Sequence, residues 1–282
     1  MFYNETMTEE TGKRPVQYLK FASGRWQEVA GEAILEKPVS LTVNGEVWIT
    51  FMCTPVHLEA LAIGFLFNEG LITSREEIAS VRVCPAEDNV DVWLEHNVDQ
   101  PQSWRRTSGC TGGVTGVTAE NSNGHQPHPL EQIPFQPDKI GHLIGLLLDS
   151  QDLYRQTGGV HTSALSDGES ILLAAEDIGR HNTLDKLAGR LLLEEISVQP
   201  RLLLTTGRIS SEMLQKAARI DASVVISRTS PSSLSIEMAE SWGITLIGYA
   251  RRDRFQIYSH PERIRSAPGD SHTDQEKSLI RS

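Results

Sequence analysis

Strands and helices alternate through the second half of the chain. From Lys139 onward, short apolar runs such as "RLLLTT" and "SVVIS" are separated by longer helical patterns such as "NTLDKLAGRLLLEEI". Such chains form layered α/β units with a largely parallel sheet, because each helix carries the chain back across one face of the sheet. We therefore expect an α/β domain at residues 137–266, followed by a polar tail at 267–282 that is predicted to be disordered.

The first half of the chain has a different pattern. Short strands flank the turn signal "VNGE", and one apolar helix is expected in "TPVHLEALAIGFLFNEGLI", with Thr54 as its N-cap and Pro55 at its first position. These elements predict a smaller β-rich domain at residues 17–125. It ends in a mobile loop, 105–136, that is rich in Gly, Thr, Asn and Pro; loops of this length are usually functional or disordered.

Charge and composition exclude several classes of function. The 282 residues carry a net charge of −11, which disfavours a nucleic acid or an anionic membrane as the partner. No apolar run is long enough to span a bilayer, and the polar start lacks the apolar segment of a signal peptide. The three cysteines lie far apart in sequence, which argues against a disulfide framework. These features predict a cytoplasmic protein.

One cysteine lies in an unusual segment. The stretch "RRTSGCTGGVTG" surrounds Cys110 with glycines, which resist ordering and offer no side chain for packing. Arg105 and Arg106 precede it and favour the thiolate form. Cys53, in the strand "WITFMC", and Cys84, at the end of "SVRVCP", are expected to be structural. Cys110 is therefore the candidate nucleophile, and the alternative is a chance cysteine in a loop.

Three strand-to-helix turns repeat one design: "LLAAEDIGRHN", "LLLTTGRISSE" and "VVISRTSPSSL". Each places backbone N–H groups, a hydroxyl or amide side chain and an arginine at the start of a helix, an arrangement that binds anions and phosphate above all. In an open sheet such turns gather at the carboxyl ends of the strands. The alternative is a set of ordinary N-caps with solvated arginines. The candidate ligand-binding residues are Arg180, His181, Gly207, Arg208, Ser210, Ser230 and Ser232.

The segment "GYARRDRFQIYSHPERIR" combines arginines with aromatic residues. Phe255 and Tyr258 alternate with arginines, which suits a flat heterocycle that carries phosphates. A basic edge strand that resists aggregation is the alternative. No P-loop or dinucleotide-binding glycine motif occurs. The sequence "HTS" at 161–163 lacks the glutamate of zinc deaminases and no cysteine follows Cys110, so we expect neither zinc nor another metal.

Taken together, "TGGVHTSAL", "EDIGRHNTLDK", "GRISSEMLQKA", "SPSSLSIEMAE" and "LIGYARRDRFQIYSHPERI" resemble the formate dehydrogenase accessory sulfurtransferase family, FdhD, over about residues 28–265. The resemblance implies a cytidine-deaminase-like fold for the C-terminal α/β domain and a homodimer. It also implies a sulfurtransferase activity. Sulfur from a cysteine desulfurase would form a persulfide on Cys110 and pass to the molybdenum bis(guanine dinucleotide) cofactor of formate dehydrogenase.

The resemblance also assigns a cofactor segment, and GDP would bind it as a fragment of the cofactor. Its residues are Phe255, Gln256, Ile257, Tyr258, Ser259 and His260, and Arg254 of the arginine-rich stretch before it is a further candidate. The chain departs from the family loop, which usually reads C-G-x-C-G, because Gly113 stands where the second cysteine is expected. A single thiol is still chemically sufficient for a carrier. The alternative function is a cofactor-binding chaperone or scaffold that transfers no sulfur through its own cysteine.

Overall fold

The computed structural model describes residues 12–101, 104–106, 114–116, 136–197, 199 and 201–264. Six of its strands form one mixed sheet, and the C-terminal half of the chain is built around it. The expectation of a mixed α/β protein is confirmed. The likeness to cytidine deaminases and the division into domains remain predictions.

The N-terminal part is rich in β structure. A long antiparallel hairpin, β1 (Lys13–Ala22) and β2 (Arg25–Ile34), precedes a four-stranded sheet of order β4-β3-β6-β5. The strands of that sheet are β3 (Lys37–Val43), β4 (Glu46–Cys53), β5 (Ile78–Val83) and β6 (Asn89–Leu94). Helix α1 (Leu58–Asn68) packs on it and completes a continuous apolar core. Two short strands, β7 (Trp104–Arg106) and β8 (Val114–Gly116), pair with each other.

The C-terminal part supplies the six-stranded sheet, in the order β10-β9-β11-β12-β13-β14. Its strands are β9 (His161–Ser166), β10 (Ile171–Asp177), β11 (Arg201–Thr205), β12 (Ala222–Ser227), β13 (Thr245–Gly248) and β14 (Gln256–Ser259). Its helices are α2 (Pro137–Asp149), α3 (Asp152–Thr157), α4 (Arg180–Leu193), α5 (Ser211–Arg219) and α6 (Ser233–Trp242). Residues from α4, α5 and α6 cover one face of the sheet, and residues from α2 cover the other.

The expectation of a largely parallel sheet is wrong. Only β11–β12 and β12–β13 are parallel pairs, whereas the pairs towards both edges are antiparallel. The cause lies in the connections. Residues 167–170 join β9 to β10, and residues 249–255 join β13 to β14. Both segments are too short for the helical crossover that a parallel pair requires.

Helices α1 and α4 cross in direct backbone contact and so connect the two parts of the chain. A Cβ atom on Gly64 would lie 1.7 Å from the carbonyl oxygen of Asp185, and one on Gly189 would lie 1.9 Å from that of Ala60. No side chain fits in either place, so both positions require glycine. The crossing also brings the chain before α1 to the start of α4, beside the candidate site.

The expected N-terminus of α1 is wrong. The helix begins at Leu58, four residues after Thr54, and His57 precedes it in a left-handed conformation with φ of 54°. Thr54 is instead fully buried and contacts residues far along the chain. Its amide donates to Asp177 Oδ2 at 3.1 Å, and its hydroxyl accepts from the amide of Ile178 at 3.2 Å. These long-range bonds hold the segment away from a helical conformation.

Candidate functional site

The three strand-to-helix turns lie along one edge of the six-stranded sheet. In the strand register, Thr205 at the end of β11 pairs with both Ser163 in β9 and Ser227 at the end of β12. Asp177, at the end of β10, pairs with His161. We call the turns corner 1 (177–182), corner 2 (205–210) and corner 3 (227–232). All three lie at the carboxyl ends of β10, β11 and β12, and we call this end of the sheet the corner edge. The expectation that the corners gather at one edge is confirmed.

A buried carboxylate shapes corner 1. Asp177 Oδ1 accepts hydrogen bonds from the Gly179 amide at 2.7 Å and from Asn182 Nδ2 at 2.9 Å. Its Oδ2 accepts from Lys186 Nζ at 2.7 Å. These bonds hold the chain in the turn that leads into α4, whose first two residues are Arg180 and His181. Sequence patterns gave no sign of this arrangement, because the Asp177–Lys186 ion pair forms only once α4 folds back onto the sheet.

His181 is a buried, uncharged group at the start of α4. His181 is 5% exposed, and its Nε2 atom has no hydrogen-bond partner within the described part of the chain. Burial, followed by the positive charges of Lys216 and Arg180, lowers the pKa of His181 to about 2. Burial and Arg180 also lower the pKa of His161, which lies across the sheet register from Asp177. Both rings are therefore neutral at physiological pH and can each donate or accept a hydrogen bond.

Corner 2 touches corner 1 through a glycine. A Cβ atom on Gly207 would lie 3.0 Å from the Cβ of Arg180, so a larger residue would push the two corners apart. Arg208 is exposed beside this contact. Ser210 is the N-cap of α5, and its hydroxyl accepts from the amide of Met213 at 3.4 Å. The hydroxyl of Ser210 therefore serves the helix, and Arg208 is the residue of this corner that is free to meet a ligand.

Corner 3 is joined to corner 2 by backbone hydrogen bonds. The amide of Ile209 donates to the carbonyl of Ser230 at 3.1 Å, and the amide of Ser232 donates to the carbonyl of Ile209 at 2.9 Å. Ser232 also caps α6 by accepting from the amide of Ser235 at 3.2 Å. The three corners are thus one continuous surface, and the candidate residues from corners 1, 2 and 3 lie together.

Arg228, the arginine of the third turn motif, and Arg251, from the arginine-rich segment, also belong to this surface. Arg251 Nη1 donates to the carbonyl of Arg228 at 2.6 Å, and Arg228 Nε is buried without a hydrogen-bond partner within the described residues. Burial and the charge of Arg251 lower the pKa of Arg228. Neither arginine forms an ion pair with a carboxylate within the described ranges. The sequence indicates the role of Arg228, because this arginine of "ISRTSPSS" follows its strand in the third turn motif as Arg208 follows its strand in the second.

The expected cofactor segment is divided between the two ends of its strand. Gln256 pairs with Gly248 at the corner edge, and Tyr258 donates its hydroxyl proton to Gln256 Oε1 at 2.6 Å. Ser259 and His260 lie at the other end of β14. The Ser259 hydroxyl donates to the carbonyl of Ile244 at 2.7 Å, and His260 Nε2 lies 3.0 Å from the carbonyl oxygen of Glu240.

The remaining residues of that segment have separate surroundings. Phe255 and Ile257 pack against the core on the α2 side of the sheet. Arg254 is exposed and forms an ion pair with Asp253, with 3.9 Å between Nη1 and Oδ2. The structure therefore brings Gln256 and Tyr258 towards the corners and leaves Ser259 and His260 apart from them.

The candidate nucleophile Cys110 lies outside the described residues, as does the second-cysteine position, Gly113. The flanking strands β7 and β8 pair with each other, and Arg106 is opposite Val114. Cys53 is fully buried, as expected for a structural cysteine, and burial together with Asp177 raises its pKa to about 12, which disfavours the nucleophilic thiolate. Cys84 is partly buried, with Sγ 2.9 Å from Asp88 Oδ1.

Neither a metal cluster nor a membrane span is found in the part of the chain that the structure describes. No group of three or more His, Cys, Asp and Glu side chains there could hold a metal ion. No helix among those residues is long and apolar enough to cross a membrane.

Comparison with known proteins assigns the chain to a family. The FdhD/NarQ family profile matches residues 34–265. The sulfur carrier protein FdhD of Bacillus subtilis (strain 168) is 39% identical over 249 residues, which cover 87% of this chain and 95% of that protein. The sulfur carrier protein FdhD of Staphylococcus aureus (strain MRSA252) is 35% identical over 249 residues, covering 87% of this chain and 94% of that one.

A solved structure agrees with this assignment. A crystal structure from Desulfotalea psychrophila, assigned as a formate dehydrogenase accessory protein, superposes with a TM-score of 0.75 at 31% identity. The match covers 90% of this chain and all of that one. The family expected from the sequence motifs is thereby confirmed, and this chain belongs to the FdhD/NarQ family.

Proposed function

We propose that this protein is a sulfur carrier for formate dehydrogenase. Cys110 would take sulfur from a cysteine desulfurase and pass it to the molybdenum bis(guanine dinucleotide) cofactor, which binds along the corner edge. Relatives from two genera bear the name sulfur carrier protein FdhD, and the similar solved structure is assigned as a formate dehydrogenase accessory protein. The family resemblance also suggests a homodimer.

One observation carries the binding half of this proposal. Arg208, Arg228 and Arg251 lie on a surface formed by three corners, each of which begins a helix of nine residues or more, and none of these arginines has a carboxylate partner within the described residues. Guanidinium groups and helix N-termini both favour phosphate oxygens. A cofactor with two pyrophosphates supplies phosphate oxygens for these three guanidinium groups.

The sulfur step follows from thiol–disulfide exchange chemistry. The Cys110 thiolate attacks the outer sulfur of the donor persulfide, the donor S–S bond breaks, and the donor cysteine leaves as a thiolate. No net oxidation occurs in this transfer. Delivery of the carried sulfur as sulfide takes two electrons, which a thiol reductant supplies. Because Gly113 stands in place of a second loop cysteine, that thiol comes from another molecule.

The test is to load the full chain with sulfur from a cysteine desulfurase and cysteine, and then to locate the sulfur by mass spectrometry of peptides. We expect one added sulfur atom on Cys110 and none on Cys53 or Cys84. Cys110→Ala should remain folded and bind GDP but should not activate formate dehydrogenase, whereas Cys84→Ala, the matched control, should activate it. Full activation by Cys110→Ala would show that the protein is a scaffold without sulfur transfer.

A further inference from the structure

A row of buried hydroxyl groups crosses the sheet directly beneath the corner edge. Ser163, Thr205 and Ser227 are paired neighbours on β9, β11 and β12, and each is fully buried. Two positions along the same face of each strand, the buried residues Leu165, Leu203 and Val225 are apolar. A buried hydroxyl costs stability unless it is hydrogen-bonded, so the bonds that these groups make account for their position.

One half of the row joins corner 1 to corner 2. Ser163 Oγ donates to Thr205 Oγ1 at 2.8 Å and lies 2.7 Å from the hydroxyl oxygen of Thr183, a fully buried residue of α4. Thr183 Oγ1 in turn donates to the carbonyl of Arg180 at 2.7 Å. Thr205 Oγ1 accepts from the amide of Gly207 at 3.1 Å. A continuous path of hydrogen bonds therefore runs from the backbone beside Arg208 to the backbone of Arg180.

The other half joins corner 2 to corner 3. Ser227 Oγ donates to the carbonyl of Gly207 at 2.7 Å and accepts from the amide of Thr229 at 3.0 Å. The peptide groups on both sides of Gly207 are thus fixed, the amide by Thr205 and the carbonyl by Ser227. Gly207 also packs closely against Arg180, because a Cβ atom on Gly207 would lie 3.0 Å from the Cβ of Arg180. Gly207 is therefore the point where all three corners are held together.

We propose that this hydroxyl row is positioning machinery. It fixes the spacing of Arg180, Arg208 and Arg228 so that the three corners bind the phosphates of one ligand rather than three separate anions. Buried polar networks that are fully satisfied make a structure rigid and specify a unique geometry. The role in ligand binding rests on the proposed function, whereas the mechanical coupling of the corners does not depend on any ligand.

The coupling is tested first without ligand, by hydrogen exchange of the full chain carrying Ser163→Ala. We expect the exchange of the Gly207 amide, and of the Thr183 amide that donates to the carbonyl of Gly179 at 3.3 Å, to rise about tenfold, the effect of losing one buried hydrogen bond. The matched control is Ser223→Ala, which removes a buried hydroxyl from the other end of the same sheet, where it donates to the carbonyl of Arg201 at 3.3 Å. Equal exchange at the corners in both variants would overturn the proposal.

A second pair of variants separates geometry from folding. Thr205→Val removes the hydroxyl and keeps the shape, whereas Thr205→Ser keeps the hydroxyl. In calorimetric titration with GDP, we expect Thr205→Val to lose about tenfold in affinity and Thr205→Ser to retain it. Equal affinity of the two variants would also overturn the proposal. If Ser163→Ala raises the hydrogen exchange of the corners but the wild type binds no GDP, the ligand in the proposed function is wrong. The mechanical coupling of the corners by the hydroxyl row would still hold.

Discussion

Two groups of cations in this protein have opposite surroundings. In the interior, near the crossing of α1 and α4, Lys186 Nζ lies 2.7 Å from Asp177 Oδ2 and Lys216 Nζ lies 2.5 Å from Asp185 Oδ1. At the corner edge, Arg208, Arg228 and Arg251 have no carboxylate partner within the described residues, and Arg251 adds positive charge next to Arg228.

The difference follows from the cost of burying charge. An ammonium group removed from water needs a carboxylate nearby, so the two lysines are held by the fold and help to define it. Arg208, Arg228 and Arg251 have no such carboxylate partner within the described residues, so in the proposed function a ligand supplies the negative charge that they face. The paired lysines therefore belong to structural sites, whereas in the proposed function the arginines form the binding surface.

The largest expected effect comes from breaking an interior pair. Asp177→Ala leaves Lys186 buried without its carboxylate and removes the acceptor of the Thr54 and Gly179 amides, so we expect a loss of about 3–5 kcal/mol in the free energy of unfolding. Urea denaturation measures it. The control is Glu169→Ala, which breaks an exposed ion pair with Lys139 and should cost less than about 1 kcal/mol. Similar losses in both variants would contradict the distinction.

The next largest loss of stability is expected at the crossing of α1 and α4, which positions the two interior ion pairs. Gly64→Ala puts a methyl group against the backbone of Asp185, and we expect it to cost about 3 kcal/mol because α1 and α4 must separate. Gly145→Ala, in α2, is the matched control. Its nearest neighbour is the Arg252 side chain at 3.7 Å, so alanine should be neutral or should stabilise the helix by up to about 1 kcal/mol. Thermal denaturation of both variants decides this prediction.

His181 gives a smaller effect that depends on pH. An unfolded histidine titrates near pH 6.5, whereas the pKa of buried His181 is about 2. Below pH 6.5 the unfolded state therefore binds more protons than the folded state, and stability falls as pH falls, by up to about 1.4 kcal/mol per pH unit. His181→Gln should reduce this slope between pH 6.5 and 5. Burial lowers the pKa of His57 and His161 in the same direction, so part of the slope should remain. An unchanged slope would contradict the burial of His181.

The smallest expected effect belongs to the corner arginines. Arg208→Ala removes an exposed cation without a carboxylate partner in the described residues, so the free energy of unfolding should change by no more than about 0.5 kcal/mol. Chemical denaturation without ligand measures this change. A loss comparable to that of Asp177→Ala would show that the arginine is structural, and the contrast between the two groups of cations would fail.

Local patterns in the sequence predicted the parts of the fold that local bonds determine. Ser210 and Ser232 precede helices and cap them, and the three corners share one edge because strands followed by helices end on the same side. The antiparallel pairing of the outer strands of the sheet was missed, because the length of the connections, rather than the residue pattern of the strands, decides the direction of these strands. Thr54 was misassigned because its partner, Asp177, is 123 residues away.

The candidate site was predictable to a similar degree. The arginine at each corner was visible as a repeated motif, whereas the contact between Arg251 and Arg228 requires β13 to lie beside β12. The division of residues 255–260 between two ends of β14 was equally hidden, since a continuous motif suggests a continuous surface. The hydroxyl row depends on the register of three strands, which no single-sequence pattern specifies.

The most direct test of the account is a calorimetric titration of GDP into the full-length protein, its Arg228→Ala variant and an Arg82→Ala control. Arg82 is an exposed arginine on β5, in the N-terminal sheet, away from the corners. A charge-assisted bond to phosphate is worth about 1.5–3 kcal/mol, so we expect Arg228→Ala to bind GDP at least about tenfold more weakly than the wild type. Arg82→Ala should bind as the wild type does. Equal affinity of the two variants, or no binding of GDP by the wild type, would contradict the assignment of the corner edge as the cofactor site.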